Sequence, residues 1–331
     1  MSLLSVIIPT YNERENIVPL YEQLSLVAQG CRDTDFEFLF VDDGSTDDSA
    51  QVLTRLRQND QRVKLVQLSR NFGSHSACRA GLECARGDLL MFLSADMQDP
   101  PELIPQLVAR AREGFDIVLA VRSQRADDWP TAAFANLYHR LMRRYALRGW
   151  PPGGTDVLLF TRQVRDVVAG WKARNTSLFA QIIWCGFRQG TVRYPRLERR
   201  RGTSKWSFRK KVKLLLDSFT SFSMAPLRFF SYLGLFLMAG GLGSAVILIV
   251  RKMAMGLSNP GWAFWLVALS LFSAFQLLAV GLLGEYLWRI AEEVRGGPAY
   301  VIRKCIGIED LRERLEEGEN ALAWQDHKIA R

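Results

Sequence analysis

Short apolar runs alternate with amphipathic stretches through about the first 125 residues, a rhythm that predicts strands and helices in turn. Ser5–Thr10 is a β-branched run and reads as a buried strand. From about Glu13 to Val27 the residues Ile17, Leu20, Tyr21, Leu24 and Val27 share one helical stripe. Phe36–Val41 predicts the second strand, followed by a turn at Gly44, with Ser45 or Thr46 placed to cap a helix through Val52 and Leu56. Val63–Leu68, Leu89–Leu93 and Phe115–Val121 predict three more strands. A helix from about Ser76 to Ala85 falls between the first two, and Pro100-Pro101 opens another. This order predicts a Rossmann-type α/β fold with a mostly parallel sheet and helices on both faces. Residues 130–190 mix both patterns.

The period changes after residue 208. Arg209, Lys210, Lys211 and Lys213 begin a stripe of Val212, Leu215, Leu216, Phe219 and Phe222. That is the pattern of a helix lying among lipid headgroups, or of an amphipathic helix packed on the α/β domain. Phe229–Val250 and Trp262–Leu283 are each near the length of a bilayer-crossing helix. Trp262, Trp265, Tyr286 and Trp288 suit interfacial belts. The division expected is 1–208 for an α/β catalytic domain, 209–228 for an interfacial helix, 229–284 for a two-helix anchor and 285–331 for a tail. Lys and Arg are far denser before Phe229 and after Gly284 than in the link 251–261. The positive-inside rule therefore expects the catalytic domain and both termini in the cytoplasm. The small residues between Ala239 and Ala245 allow close helix approach, and Gln276 suits an interhelical hydrogen bond.

Lys and Arg exceed Asp and Glu by 43 to 34, for a net charge of +9. The excess clusters between Arg193 and Lys213 without an aromatic-interleaved basic sheet or helix-turn-helix pattern, so membrane lipids and anionic substrates fit it and nucleic acid does not. Five cysteines without a Cys-x-x-Cys pair read as reduced thiols. The first residues carry no basic n-region and read as a strand, not a signal peptide. His75 and His139 read as solvated or satisfied in the core.

Two strands run straight into acids. Phe36–Val41 meets Asp42-Asp43-Gly44-Ser45, and Leu89–Leu93 meets Ser94-Ala95-Asp96-Met97-Gln98-Asp99. Ligands of open α/β sheets bind beyond the carboxyl ends of the strands. Acidic groups there suit a divalent cation, which in turn holds a diphosphate. Asp96 and Gln98, two apart after a strand, are placed to reach one ion; otherwise Asp96 caps the helix at Pro100.

Pro9-Thr10-Tyr11-Asn12-Glu13, Asp42-Asp43-Gly44-Ser45-x-Asp47, Ser69-Arg70-Asn71-Phe72-Gly73 and Ala95-Asp96-Met97-Gln98-Asp99-Pro100-Pro101-Glu102 resemble the motifs of family 2 glycosyltransferases. With Gly202-x-Ser204-Lys205-Trp206, the two apolar runs and Gly281–Tyr286, the chain is similar to the polyprenyl-phosphate glycosyltransferases from residue 5 to about 304. The resemblance implies a GT-A fold and a membrane-bound, inverting enzyme of the cytoplasmic membrane. Its donor is a nucleotide-diphosphate sugar, its acceptor polyprenyl (undecaprenyl) phosphate, and its cofactor Mg²⁺ or Mn²⁺. A homo-oligomer, by preference a tetramer, is implied as well.

Residue by residue, the resemblance implies Asp96 and Gln98 as metal ligands and Pro9, Tyr11 and Glu13 as a nucleoside-binding loop. Asp42 would hold the base or ribose, while Asp43 either shares that work or only shapes the turn. Asp156 matches an acid near the acceptor, and Arg122, Arg125, Arg199 and Lys205 are the cations for its phosphate. Ser94 stands where the family usually has an Asp, and Val157-Leu158 where relatives often carry Phe-Arg. Ser94 remains placed to touch the donor phosphate or a metal-bound water. Two other readings remain: transfer to another lipid or a polysaccharide, and a non-catalytic membrane protein that binds sugar nucleotides. The Gln-x-x-Arg-Trp motif of processive synthases is absent.

Overall fold

The computed structural model describes residues 2–122, 139–147, 149–151, 154–171, 177–195, 225–255 and 261–308. The chain divides into two compact units, Met1–Leu215 with Gly297–Arg331, and Leu216–Gly296.

In the first unit the elements run β1 (Ser2–Thr10), α1 (Arg14–Gly30), β2 (Thr34–Asp42), α2 (Ser49–Asn59), β3 (Val63–Leu68), α3 (Ser74–Cys84) and β4 (Leu89–Phe92). A 3₁₀ turn at Pro101–Leu103 leads into α4 (Ile104–Arg112), then β5 (Ile117–Arg122). A π-helical turn at Met142–Ala146 precedes β6 (Val157–Thr161), α5 (Arg162–Ala169), α6 (Leu178–Trp184) and β7 (Gln189–Tyr194). The second unit holds α7 (Ala225–Met255) and α8 (Trp262–Val294), and β8 (Ile302–Ile306) returns to the first.

One sheet takes all eight strands in the order β7-β5-β6-β4-β1-β2-β3-β8. The pairs β1/β2, β1/β4, β2/β3 and β5/β7 are parallel, while β6 and β8 run antiparallel to their neighbours. The mostly parallel Rossmann-like sheet expected from the pattern is present. Central strands covered on both faces read as continuous apolar runs, and Leu4, Val6, Ile7 and Ile8 of β1 are fully buried. From one side α1 packs Ile17, Leu20 and Leu24 into the core. On α3, a Cβ at Gly81 would lie 2.3 Å from Ile7 Cγ2, so the glycine permits close approach of helix to β1.

Three differences from the sequence reading have clear causes. The helix after β2 begins at Ser49, later than a cap at Ser45 or Thr46 would place it. Those two residues bond to Asn12 instead: Ser45 Oγ accepts from Asn12 N at 2.9 Å, and Thr46 N donates to Asn12 Oδ1 at 2.8 Å. The segment assigned to a tail contains β8, whose pairing with β3 is a long-range event that periodicity does not report. Its entry is held by Ser69 N donating to Val301 O at 2.9 Å and by Tyr300 Oη donating to Glu83. The second apolar run continues as one helix to Val294, beyond the boundary at 284.

The helices α7 and α8 cover the two apolar runs, with Phe230 and Phe275 rings 5.5 Å apart between them. Among the described residues, no helix is long and apolar enough to cross a membrane. The interfacial stripe from Arg209 to Phe222 lies outside the described residues.

One polar cluster crosses the core beneath the strands. Glu37 on β2 accepts from Ser5 Oγ and from Arg86 N at 2.8 Å, and pairs with Lys64 of β3. Burial pushes the Glu37 carboxyl up, but the Arg86 N–H, the Lys64 ammonium and the Ser5 hydroxyl together hold it below the ordinary 4.5. His75 and His139 both pack against aromatic rings. Trp150 Nε1 donates to His139 Nδ1 at 2.8 Å. His75 stands edge-on to Phe179, and burial, aided by Arg79, lowers its imidazole to about 4.

Candidate active site

β1 lies between β2 and β4, so the crevice beyond their carboxyl ends is where strand order reverses and ligands bind in such sheets. Two loops there are stitched together. After β1 comes Tyr11-Asn12-Glu13, with Asn12 in the left-handed region at φ 53°. Besides the two Asn12 bonds, Glu13 N donates to Ser49 Oγ at 3.2 Å and Arg14 N to Asp47 Oδ2 at 3.3 Å. Pro9 and Tyr11 are part-buried at this rim. Glu13 is the N-cap residue of α1, and its carboxylate accepts from Asn16 Nδ2 at 2.7 Å.

The paired acids after β2 have different tasks. Asp42 is fully buried; Oδ1 accepts from Ser45 N at 3.1 Å and Oδ2 from Gln67 Nε2 at 3.2 Å. It builds the turn through these two bonds. Asp43 accepts from Phe72 N at 2.7 Å and Gly73 N at 2.9 Å, which clamps the Arg70–Gly73 loop beside it. Burial raises the Asp43 carboxyl and Asp42 adds to this, while the two amides oppose it. Of the two roles open to Asp43 from sequence, the geometry assigns loop shaping.

Gly44 makes that close approach possible. Its φ is +68°, and a Cβ there would lie 2.5 Å from the Arg70 carbonyl carbon. Gly44→Ala carries roughly 1–2 kcal/mol of left-handed strain before the backbone contact is counted. We expect a fall of roughly 3–8 °C in Tm together with weaker nucleotide binding, measured by thermal shift and by calorimetric titration. Wild-type values in both would refute this account of the turn.

After β4 the chain forms the second acidic loop. Asp96 is 9% exposed, and its Oδ1 accepts from Gln98 N at 3.2 Å. Met97 between them is left-handed at φ 58°. Ser94 and Gln98 are part-buried on the same loop. Carboxylate, amide and hydroxyl oxygens are donors of the kind that hard cations such as Mg²⁺ and Mn²⁺ take, so the residues present fit such an ion. Among the described residues there is no group of three or more His, Cys, Asp or Glu for a metal. A cation bound there would meet the Asp96 carboxylate beside the Gln98 amide and the Ser94 hydroxyl.

The far side of the crevice holds a group only partly anticipated. Arg122 ends β5 and Tyr194 ends β7, as register partners. Arg122 forms an ion pair with Asp156, which just precedes β6 and is half-exposed. Tyr194 Oη donates to Asp99, a fully buried residue of the loop after β4. Burial, with the Asp99 carboxylate beside it, pushes the Tyr194 hydroxyl well up, so it stays protonated and donates. Sequence reasoning paired neither Asp99 nor Tyr194; the one available signal was an aromatic closing an alternating strand. Arg125, Arg199 and Lys205 lie outside the described residues.

Residues 5–166 match the family model described as Glycosyl transferase family 2. An uncharacterized glycosyltransferase of Synechocystis sp. is 36% identical over 309 residues, spanning 93% of this chain and 97% of the relative. The uncharacterized glycosyltransferase YkcC of Bacillus subtilis is 35% identical, spanning 93% and 95%. Among solved structures, a Pyrobaculum calidifontis mannosyltransferase in complex with GDP-Man and Mn²⁺ overlaps with a TM-score of 0.46 at 19% identity, over 88% of this chain and 86% of that one.

Proposed function

The chain belongs to glycosyltransferase family 2, and from that premise we propose that it transfers one sugar from a nucleotide-diphosphate sugar to polyprenyl phosphate at the cytoplasmic face of the membrane. The observation that carries the acceptor is the helical pair. Helices of 31 and 33 residues are about 46 and 50 Å long at about 1.5 Å per residue. Phe229, Tyr232, Phe236, Leu269, Leu277 and Leu278 are all exposed along them. Apolar surface of that extent in water marks a missing partner; we read the acyl layer of a membrane as that partner for the pair together, since no described helix is by itself long and apolar enough to cross.

The metal belongs to the proposal too. A divalent cation at Asp96, with Gln98 and Ser94 as neighbouring oxygen donors, would neutralise the charge that develops on the leaving diphosphate. The chain's own groups do the rest. The stitched loops after β1 and β2 bind the nucleoside, and Arg122 orients Asp156 beside the acceptor. A phosphate-monoester oxygen attacks the anomeric carbon as the bond to the diphosphate breaks with its electron pair, inverting the configuration. The acceptor is mostly dianionic at pH 7, since its second pKa is near 6, so no proton has to be removed and Asp156 is not an obligatory base.

The test is a panel of radiolabelled sugar nucleotides with the purified full chain and Mn²⁺, offered undecaprenyl phosphate, diacylglycerol or a polysaccharide primer. Label in the polyprenyl phosphate product is expected. Transfer to diacylglycerol or primer alone would replace the acceptor, and no transfer to any would leave a sugar-nucleotide-binding protein. In intact cells, a cysteine introduced at Asn259 is expected to react with an impermeant thiol reagent, and labelling of Cys305 instead would invert the topology.

A further inference from the structure

The metal-loop residues proposed above sit on a support that belongs to another strand. Asp99 directly follows Gln98 and is three residues beyond Asp96. It is fully buried, and the Tyr194 hydroxyl donates to it from the end of β7. β7 is the opposite edge of the sheet from β8, three strands away from β4. The upstream end of the loop is fixed by Leu93 N donating to Ile7 O at 3.0 Å. Between these two anchors the loop carries Met97 at φ 58°, a conformation that a non-glycine residue holds only when its surroundings determine it.

The geometry points to Tyr194 as a positioning residue: its hydrogen bond to Asp99 fixes the downstream end of the loop and so sets Asp96 and Gln98 for the cation and diphosphate. This rests on the metal reading of that loop. Tyr194 acts through Asp99, with Arg122 as its second polar neighbour. Its place beside Arg122, the partner of Asp156, puts the support of the donor loop next to that of the acceptor acid. With Asp99 engaged by Tyr194, Asp96 is the carboxylate on the loop left for the ion, so where it is held makes the outer support count for more.

Outer partners of this kind typically cost 10–100-fold in metal affinity when removed. The test uses the full chain in detergent, with Mn²⁺ affinity read from the free-ion electron paramagnetic resonance signal, in the presence of UDP and, separately, GDP. Tyr194→Phe deletes only the hydroxyl and is expected to weaken Mn²⁺ binding by about 10–100-fold. Asp99→Asn keeps an oxygen to accept from Tyr194 and is expected to retain most of the affinity. A lower Tm in Tyr194→Phe with unchanged Mn²⁺ affinity would mean a merely structural contact and overturn the proposal. An equal loss in Asp99→Asn would assign the effect to charge and also overturn it. Failure of the wild type to bind Mn²⁺ with either nucleotide is a separate result, and it removes the metal reading itself.

Discussion

Asp96→Ala is expected to reduce sugar transfer by about 10³-fold or more while the protein remains folded. The loop after β4 has one carboxylate placed for a cation, with amide and hydroxyl oxygens around it. Charge stabilisation of a leaving diphosphate by a bound cation is worth several kcal/mol, and each 1.36 kcal/mol is about tenfold in rate. With Ser94 in the neighbouring position, no second acid on the loop's inner turn substitutes for the lost charge. The alternative role for Asp96, capping the helix at Pro100, predicts a modest stability loss and intact chemistry. The 3₁₀ turn at Pro101–Leu103 has no side-chain cap bond, which removes the main ground for that role. Steady-state turnover and a thermal melt on the same preparation separate the two. Near-normal turnover of Asp96→Ala, or of the wild type with excess chelator, would sink the metal assignment.

The second large effect is on stability, at the pair beneath the sheet. Lys64→Met leaves the Glu37 carboxylate buried with only the Arg86 amide and Ser5 hydroxyl. The side chains of Lys64 and Glu37 are 13% and 4% exposed, so solvent does not take over the lost pairing. Removing one partner of a buried pair costs about 3–5 kcal/mol, and for a unit of this size that corresponds to a fall of roughly 10 °C in Tm. The pH dependence has a definite sign. The folded carboxyl lies below its ordinary 4.5, so Glu37 contributes stability above that value and loses it as pH falls through the folded pKa. In Lys64→Met the folded pKa rises, so the two proteins differ most near neutral pH and converge as pH falls through the wild-type folded pKa. A gap in Tm that is constant from pH 7 to pH 4 would show that the pair is not its origin.

Both predictions concern residues whose meaning was unequally legible beforehand. The strand and helix rhythm of residues 5–122 was readable because central parallel strands are apolar on both faces, and α1 carries its stripe at helical spacing. The placing of Asp42 and Asp96 beyond strand ends was readable for the same reason: an apolar run that stops at an acid announces its own carboxyl end. Local pattern also gave the two apolar runs their helical form.

What sequence left open is what depends on distant partners. That Asp42 bonds Gln67, that Asp43 clamps Phe72 and Gly73, and that Tyr194 holds Asp99 are contacts between residues 25 to 95 positions apart. No period or motif encodes such a pairing, because it depends on strand order and register. The antiparallel β6 and β8 were hidden likewise: both lie outside the regular βαβ alternation, and their partners are fixed only when the sheet closes. The chain by itself determined the elements of the regular alternation, the acids at the strand ends and the apolar helices, because these follow from local spacing and side-chain polarity. Tertiary structure decided which acid shapes a turn, which faces the crevice and which is held from across the sheet, because burial and hydrogen-bond partners exist only after the strands have paired.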